Sequence, residues 1–523
     1  MSEPSETEHA AQAAQAAQAE QAEHAEKRSS YRQILKATSL FGGVQVFNIL
    51  IAVIRSKFVA VLLGPAGMGL GGLFASTTEV IRSLTSLGLA TSAIKDIAAA
   101  NATGDERRIA TIVTVFRRLV WVTGLAGTLI TLVLAPWLSE IAFGTREHTL
   151  GFVAVSTTLL LGQLAAGQRV LLQGMRRLKD LAAASVLGAT AGLLCAVPMY
   201  WFYGNDGIVP AIVVGAITNL ATAAWFGRRV RVERVAVSLK ETLHEGKGMV
   251  TMGVVIALNG LLLSATVYLL RIFISWAGTV DDVGLYSAGF SIINQYVGMV
   301  FTAMLTDYYP RLSAVAHDDE ACTQTINQQA DVAVLILGPI ILAFMVFVKL
   351  AVIILYSEKF LAIDQMMNWA AIGILFKAAS WAVGFVFVPK GDSRLFIISE
   401  FVANAYMLLI NMAGYYWFGL EGLGVAFLVA YVVYLLQVVL IARARYNFRF
   451  EVSFFRLFAA QLALAVACFL SVRLISSWYG YGIGLILILI STRYSYRELD
   501  KRIGMKAAIE TVLAKVRRRL GRT

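Results

Sequence analysis

Charged residues are scarce in this chain. Only 15% of its 523 residues are Asp, Glu, Lys or Arg, whereas 58% are hydrophobic and the mean hydropathy is +0.70. Soluble domains carry about 25% charged and roughly 45–50% apolar residues. The composition therefore excludes an ordinary soluble domain and predicts a protein that lies within a lipid bilayer.

Cysteines and catalytic motifs are also few. Cys195, Cys322 and Cys468 are widely spaced, so no disulfide framework and no thiolate metal site is predicted. The chain has no nucleotide loop of the Gly-Lys-Ser/Thr type, which argues against ATP hydrolysis. The predicted outward links are short, and their one cluster of acid and base residues, Glu140 to His148, is interpreted as a rim. We expect no enzyme activity, no cofactor and no metal.

The formal net charge is +12, which alone would suggest nucleic acid as a partner. The basic residues, however, fall mostly in short links between apolar segments. This is the distribution that the positive-inside rule predicts for membrane proteins. We therefore expect membrane lipids, and no nucleic acid, as partners.

The first 27 residues differ from the rest, because Ala, Gln and Glu dominate them. They show neither the basic start nor the apolar core of a signal peptide. We expect residues 1–30 to be a solvated cytoplasmic tail.

Apolar stretches of about 20 residues are long enough to cross a bilayer as helices. The sequence predicts fourteen: 38–63, 69–93, 112–139, 149–172, 180–202, 207–227, 249–277, 283–309, 331–356, 361–388, 395–418, 422–442, 457–475 and 480–492. The last two are the shortest, so twelve spans with a re-entrant or interfacial C-terminal hairpin is the alternative.

The links between spans differ in basic content. Links that follow even-numbered spans are rich in Lys and Arg, as at Arg169 to Lys179, Arg228 to Lys247 and Arg443 to Arg456. The opposite links, such as 64–67, 204–207, 278–282 and 419–422, are short and nearly free of basic residues. Both termini are therefore predicted to face the cytoplasm. The acidic link from His317 to Glu320 departs from this pattern.

Several motifs recur 215 positions apart. Gly69-Leu70 matches Gly284-Leu285, and Gly204-Asn205-Asp206-Gly207 matches Gly419-Leu420-Glu421-Gly422. An offset that contains six helices keeps both copies in one orientation, which predicts a parallel repeat and indicates a transporter.

The predicted fold is an all-α polytopic membrane protein with two pseudo-symmetric six-helix lobes. The predicted parts are the tail (1–30), an N-lobe (31–227), a cytoplasmic amphipathic linker (228–248), a C-lobe (249–445), two further spans (446–495) and a basic tail (496–523).

Ionisable residues within spans are costly and are candidate functional residues by default. Here they are mostly cations: Arg55, Lys57, Arg82, Arg271 and Lys377. Such an excess needs carboxylate partners or an anionic cargo. The arginine side chain suits phosphate oxygens in particular. We therefore predict a substrate cavity with positive potential.

Alternatives remain for individual residues. Glu79 lies three positions before Arg82, so it is predicted either to pair with Arg82 or to couple transport to protons. Lys57 is equally well explained by snorkelling toward the interface. Asn48 and Asn259 are candidates for polar cavity lining, although most such amides join helices. The glycine-rich segment Gly64–Gly69 is predicted to be a tight turn.

Four consecutive motifs resemble the opening of O-antigen translocases: FGGVQVFN (41–48), IRSKF (54–58), LGPAGMG (63–69) and LGLATSAIKDIA (87–98). These proteins are bacterial lipid-linked oligosaccharide flippases of the multidrug and oligosaccharidyl-lipid exporter superfamily. The resemblance is specific over residues 34–100 and general over about 30–445.

This resemblance implies two lobes around a central cavity and transfer of undecaprenyl-pyrophosphate-linked glycan across the bacterial inner membrane. It implies a role in O-antigen and lipopolysaccharide biosynthesis, with the O-antigen polymerase machinery as a further partner. Related lipid II flippases carry functional arginines in their first two helices, and Arg55 and Arg82 match those positions. A lipid II-type flippase and a cation-coupled multidrug antiporter of the same superfamily are the alternatives, and an antiporter for cations is expected to show acids in excess.

Overall fold

The computed structural model describes residues 42–233, 235–475 and 478–503, and these residues form helices without a single strand. The predicted all-α class is confirmed. The α-helices are α1 (Gly42–Leu62), α2 (Gly64–Thr85), α3 (Leu89–Thr103), α4 (Glu106–Phe143), α5 (Thr149–Gly174), α6 (Leu178–Tyr203), α7 (Ile208–Gly227), α8 (Leu239–Ala277), α9 (Val280–Ile292), α10 (Gly298–Ala314), α11 (Asp319–Leu355), α12 (Asp364–Gly384), α13 (Ser393–Tyr446), α14 (Val452–Leu474) and α15 (Trp478–Ile503). The predicted N-terminal tail, Arg234 of the predicted linker and residues 504–523 of the predicted basic tail lie outside the described residues.

Ten stretches of the described helices are long and apolar enough to span a membrane, so the chain is a multi-pass membrane protein. Two of them hold a pair of spans each. Leu178–Gly227 contains α6 and α7, and Ser393–Tyr446 is broken by the non-helical Gly419. The predicted fourteen spans are reached only when α2 and α15, with 22 and 26 residues, are also counted.

The predicted turn at Gly64–Gly69 is wrong. Only Gly64 has a positive φ, of 72°, and α2 begins at that residue with Pro65 in its first turn. Proline is favoured there because the missing N–H has no partner to lose. The predicted second span, 69–93, is also wrong at both ends, since α2 stops at Thr85 and Gly88 turns the chain into α3 with a φ of 59°.

The segment predicted as a linker, 228–248, leads directly into a helix. Residues 239–248 are the first ten residues of α8, which runs without interruption to Ala277. The sequence signal for this start is a capping box: the Ser238 hydroxyl accepts from the Glu241 N–H, and the Glu241 carboxylate accepts from the Ser238 N–H.

The backbone repeats itself at the offset of 215 positions. Gly204 has φ 56° and ψ −133°, and Gly419 has φ 59° and ψ −140°. The helices α2 and α9 also meet reciprocally: a Cβ on Gly69 would lie 1.9 Å from the Val280 carbonyl oxygen, and a Cβ on Gly284 would lie 1.9 Å from that of Pro65. A contact that exchanges equivalent residues in this way is the mark of a two-fold relation. We call the end of the bundle that carries Gly64, Gly204, Gly278 and Gly419 the glycine end, and the opposite one the basic end.

An aromatic triplet precedes each of the two repeated glycines. Trp201, Phe202 and Tyr203 are 68 to 77% exposed, and Tyr416, Trp417 and Phe418 are 67 to 72% exposed. Trp and Tyr concentrate where a membrane meets water. The two triplets therefore mark one membrane interface at the glycine end.

Candidate functional site

A cavity of about 910 Å³ lies between α1, α2, α5, α6 and α7. Part of its wall has no side chain, because six glycines line it: Gly67, Gly71, Gly162, Gly188, Gly192 and Gly215. A Cβ added to Gly162 or Gly215 would meet no atom within 4 Å. Small residues thus keep this space open within the N-lobe.

Two of the predicted residues line this cavity on α1. Arg55 donates from Nη2 to the hydroxyl of Tyr200 at 3.4 Å, a long contact with a buried tyrosine of α6. Asn48 donates from Nδ2 to the Ser185 hydroxyl at 3.0 Å, while its Oδ1 is buried without a hydrogen-bond partner in the described structure. The cavity therefore combines a cation near the glycine end with an amide oxygen that lacks a donor.

Glu79 lines the same cavity and forms an ion pair with Arg82. Arg82 donates to both carboxylate oxygens of Glu79, from Nε at 2.8 Å and from Nη2 at 2.5 Å. Both side chains remain about half exposed. The geometry matches the predicted pair, and it leaves the one lining carboxylate engaged by a cation.

Arg169 on α5 is a lining residue that the sequence reasoning assigned to a cytoplasmic link. Its Nη1 donates to Oδ1 of Asn219 on α7 at 2.6 Å, and Arg82 is a like-charged neighbour. The described structure gives Arg169 no carboxylate partner. Its sequence signal was the continuation of the apolar helical pattern around it, since α5 continues to Gly174.

Lys57 lies elsewhere, although it is only two residues from Arg55. Its Nζ donates to the backbone oxygens of Ile353 at 2.8 Å and Tyr356 at 2.6 Å, at the C-terminal end of α11. The last carbonyls of a helix have no partner within the helix and attract cations. Lys57 therefore caps a C-lobe helix from an N-lobe helix.

Arg271 does not line this cavity. It donates from Nη1 to the Gly72 backbone oxygen at 2.9 Å, and its buried Nε has no hydrogen-bond partner among the described residues. A Cβ on Gly72 would lie 3.8 Å from the Arg271 guanidinium carbon. This is an ordinary contact distance, so the guanidinium of Arg271 on α8 packs directly against α2 at Gly72.

Lys377 on α12 is surrounded by aromatic rings. Its Nζ lies 5.3 Å from the ring centre of Tyr431 and 5.8 Å from those of Phe301 and Phe427. Such cation–π contacts stabilise an ammonium group without a carboxylate.

The five predicted cations thus divide into two groups. Arg55 lines the cavity and Arg82 binds one of its lining residues, whereas Lys57, Arg271 and Lys377 contact other parts of the protein. The side chain of Asn259 lies outside the described residues. Within the described ranges, no group of three or more His, Cys, Asp or Glu is close enough to hold a metal ion. The arrangement can bind an anion that enters the cavity.

Residues 58–365 match the family described as "Polysaccharide biosynthesis protein". A lipid III flippase of Escherichia coli (strain K12) is 23% identical over 395 residues, which cover 72% of this chain and 90% of that protein.

Two solved structures share the fold. A multidrug resistance MATE family transporter of the MOP superfamily, in an inward-facing conformation, superposes with a TM-score of 0.64 at 14% identity, over 76% of this chain and 94% of that one. A lipid II flippase in an inward closed conformation superposes with a TM-score of 0.62 at 10% identity, over 89% of this chain and 99% of that one. At these identities the likeness establishes the fold alone.

Proposed function

Because the chain belongs to the polysaccharide biosynthesis protein family, we propose that it is a flippase that carries an undecaprenyl-pyrophosphate-linked oligosaccharide across the bacterial inner membrane. The cargo is an O-antigen unit or a related surface polysaccharide repeat. The observation that supports this proposal is the cavity in which two arginines, Arg55 and Arg169, have no carboxylate partner among the described residues. The similarity to a lipid III flippase is consistent with it.

The chemistry of the cavity fits an anionic headgroup attached to sugars. A guanidinium that leaves water without a carboxylate is unfavourable unless an anion replaces the lost solvation. Phosphate oxygens accept paired N–H bonds from arginine, which suits Arg55, Arg82 and Arg169. The glycine-lined wall leaves space for a glycan, and Asn48 and Ser185 offer polar groups to its hydroxyls. The prenyl chain is too apolar for this interior and remains in lipid.

Transport by this route requires alternating access. At the glycine end the lobes touch through α2 and α9 and through Lys57 on α11, so an exit there needs these contacts to separate. With basic links on the cytoplasmic side, the glycine end faces outward. An inside-negative potential then favours outward movement of the headgroup, by about 2.3 kcal/mol per charge at 100 mV.

Two other classes of transporter with this fold are the alternatives. A lipid II-type flippase differs in its glycan and would use the same cations. A cation-coupled multidrug antiporter would have the same fold as the MATE transporter, but a cationic drug would meet arginines in a cavity whose one lining acid is already paired. The sign of the charge therefore supports the lipid-linked anion.

The test is translocation of a fluorescent undecaprenyl-pyrophosphate oligosaccharide in proteoliposomes, under an imposed potential. We expect wild type to move the headgroup and Arg55→Gln to lose at least tenfold of the rate, since a charge-assisted hydrogen bond contributes about 1.5–3 kcal/mol. Arg117→Gln is the matched control, because Arg117 borders a groove between α4 and α5 outside the cavity. Efflux of a cationic dye without headgroup movement would replace this proposal with the antiporter.

A further inference from the structure

The arginines of the cavity lie at two depths. Arg55 is seven residues before the end of α1 at the glycine end, whereas Arg169 is twenty residues after the start of α5 at the same end. At 1.5 Å per helical residue these positions are about 10 and 30 Å from the glycine end, so about 20 Å separates them along the bundle. One pyrophosphate group is too small to bridge that distance.

The surroundings of Arg169, nearer the basic end, leave its guanidinium available to an anion. Asn219 accepts one of its N–H groups at 2.6 Å, and a guanidinium has five to donate. Arg82 is three residues before the end of α2 at the basic end and is the like-charged neighbour of Arg169. Since Arg82 engages Glu79, no lining carboxylate remains for Arg169 in the part of the chain that the structure describes. An anion that binds between Arg82 and Arg169 relieves their repulsion.

We propose that the cavity holds two separate phosphate-binding sites, used one after the other. The capture site consists of Arg169 with Arg82 and takes the pyrophosphate at the basic end. The deep site consists of Arg55 with the Tyr200 hydroxyl and holds it next to the closed glycine end. This inference deepens the proposed function and rests on it for the direction of transfer, while the two sites themselves are properties of the cavity.

Asn219 positions the guanidinium of Arg169. Its amide oxygen orients one N–H without neutralising the charge, which a carboxylate at the same place would do. The variant Asn219→Asp retains the shape and the hydrogen bond and adds a negative charge. It is therefore expected to close the capture site by an ion pair, whereas a purely structural role of Asn219 would leave anion binding unchanged.

The first experiment counts the bound anions. Farnesyl pyrophosphate is titrated into the purified full-length protein in detergent, and the stoichiometry is read by calorimetry and native mass spectrometry. We expect two molecules for wild type and for Arg117→Gln, one for each of Arg169→Gln, Asn219→Asp and Arg55→Gln, and none for the Arg55→Gln/Arg169→Gln double variant. A stoichiometry of one or none for wild type, or of two for Arg169→Gln, overturns the inference.

The second experiment separates the roles of the sites in proteoliposomes. Arg169→Gln is expected to raise the KM for the lipid-linked cargo about tenfold with a small change in maximal rate, and Arg55→Gln to lower the maximal rate with a small change in KM. Equal effects of the two variants on both constants overturn the order of use. If wild type binds two anions and moves no lipid, the proposed function fails while the two sites stand.

Discussion

The equivalent helices α5 and α12 begin 215 positions apart and have opposite surroundings. In the most apolar 18-residue stretch of α5, 33% of the residues are buried within the protein. In the corresponding stretch of the span that contains α12, 78% are buried. In the N-lobe, α5 faces a cavity through Gly162. In the C-lobe, the position equivalent to Gly162 is Lys377, enclosed by three aromatic rings. The two lobes thus share a backbone arrangement, and the side chains at equivalent positions determine whether the interior of each lobe is open or filled.

A second pair of equivalent positions shows the same difference. Arg169 and Asn219 meet in the N-lobe, and their counterparts Gly384 and Tyr434 meet in the C-lobe, where a Cβ on Gly384 would lie 3.2 Å from the tyrosine hydroxyl. The same helix crossing therefore occurs in both lobes. It holds an arginine and an amide in the N-lobe, and a glycine and a tyrosine in the C-lobe. A binding site in one lobe therefore does not imply a site in the other.

The C-terminal helices contribute to the difference, since both pack against α11 of the C-lobe. Gln461 of α14 is buried and joins Ser491 and Ser495 of α15, and Arg473 of α14 pairs with Glu421 beside the repeated Gly419. The N-lobe has no such cover in the described ranges.

Filling the open lobe should have the largest effect. Gly162→Phe places a ring at the wall of the cavity, from a position where a Cβ meets no atom within 4 Å. We expect a loss of transport of at least a hundredfold with unchanged thermal unfolding. Gly482→Phe on α15 is the control, since its Cβ also meets nothing within 4 Å. Normal transport by Gly162→Phe would show that the cargo does not use this cavity.

Disturbing the contact that the lobes share should have the next largest effect. Gly69→Ala and Gly284→Ala each force a methyl group onto a facing carbonyl, which we expect to cost about 1–3 kcal/mol and to move the lobes apart at the glycine end. Because the contact is reciprocal, the two variants should shift spin-label distances across that end equally. Gly71→Ala is the control, with ordinary contact at 3.8 Å. Effects that differ severalfold would argue against the two-fold relation.

Removing the hydrogen bonds between α14 and α15 tests how much these two helices stabilise the C-lobe. Gln461→Leu leaves two buried serine hydroxyls without their partner, at a cost of about 1–3 kcal/mol in chemical unfolding. The triple variant with Ser491→Ala and Ser495→Ala should recover part of that loss, because no hydroxyl then lacks a partner. If the triple variant is no more stable than Gln461→Leu, the loss of stability comes from the packing of residue 461 against Gly338 instead.

The cap between lobes should give the smallest effect. Lys57→Met removes both hydrogen bonds to the end of α11, and we expect about 1 kcal/mol less stability for the closed glycine end. Spin labels at Asp206→Cys and Glu358→Cys should then report a larger open population, and Lys57→Arg should restore the wild-type distance. An unchanged distance in Lys57→Met would show that Lys57 does not hold the glycine end closed and that its side chain only extends toward the membrane interface.

The sequence predicted the all-helical class and the repeat because hydrophobic length and a constant offset are local signals. The helix ends were harder. The glycine segment at residues 64–69 resembles a turn until Pro65 is recognised as a helix start, and the link before α8 hides a capping box at Ser238 and Glu241.

The site was predicted in part for a related reason. The positive-inside pattern groups Arg169 with the basic link, although the predicted span 149–172 contains it. The helix α5 continues to Gly174 and brings Arg169 into the cavity. The partners of Lys57 lie about 300 residues away, and those of Lys377 lie on two other helices, α10 and α13, so no local pattern contains them. The glycines of α5 and α6, Gly162, Gly188 and Gly192, were the feature of the sequence from which a cavity between these helices could have been predicted.

The two aromatic triplets at the glycine end have a mechanical consequence. Each lobe is held at one interface by its own triplet, Trp201–Tyr203 or Tyr416–Phe418, so a lobe that tilts must raise or lower that anchor relative to the lipid headgroups. The elastic cost of this movement depends on how well the bilayer thickness matches the protein. We therefore expect the transport rate to pass through an optimum as the acyl chains of the bilayer are lengthened, and replacement of the triplets by leucines to flatten that dependence.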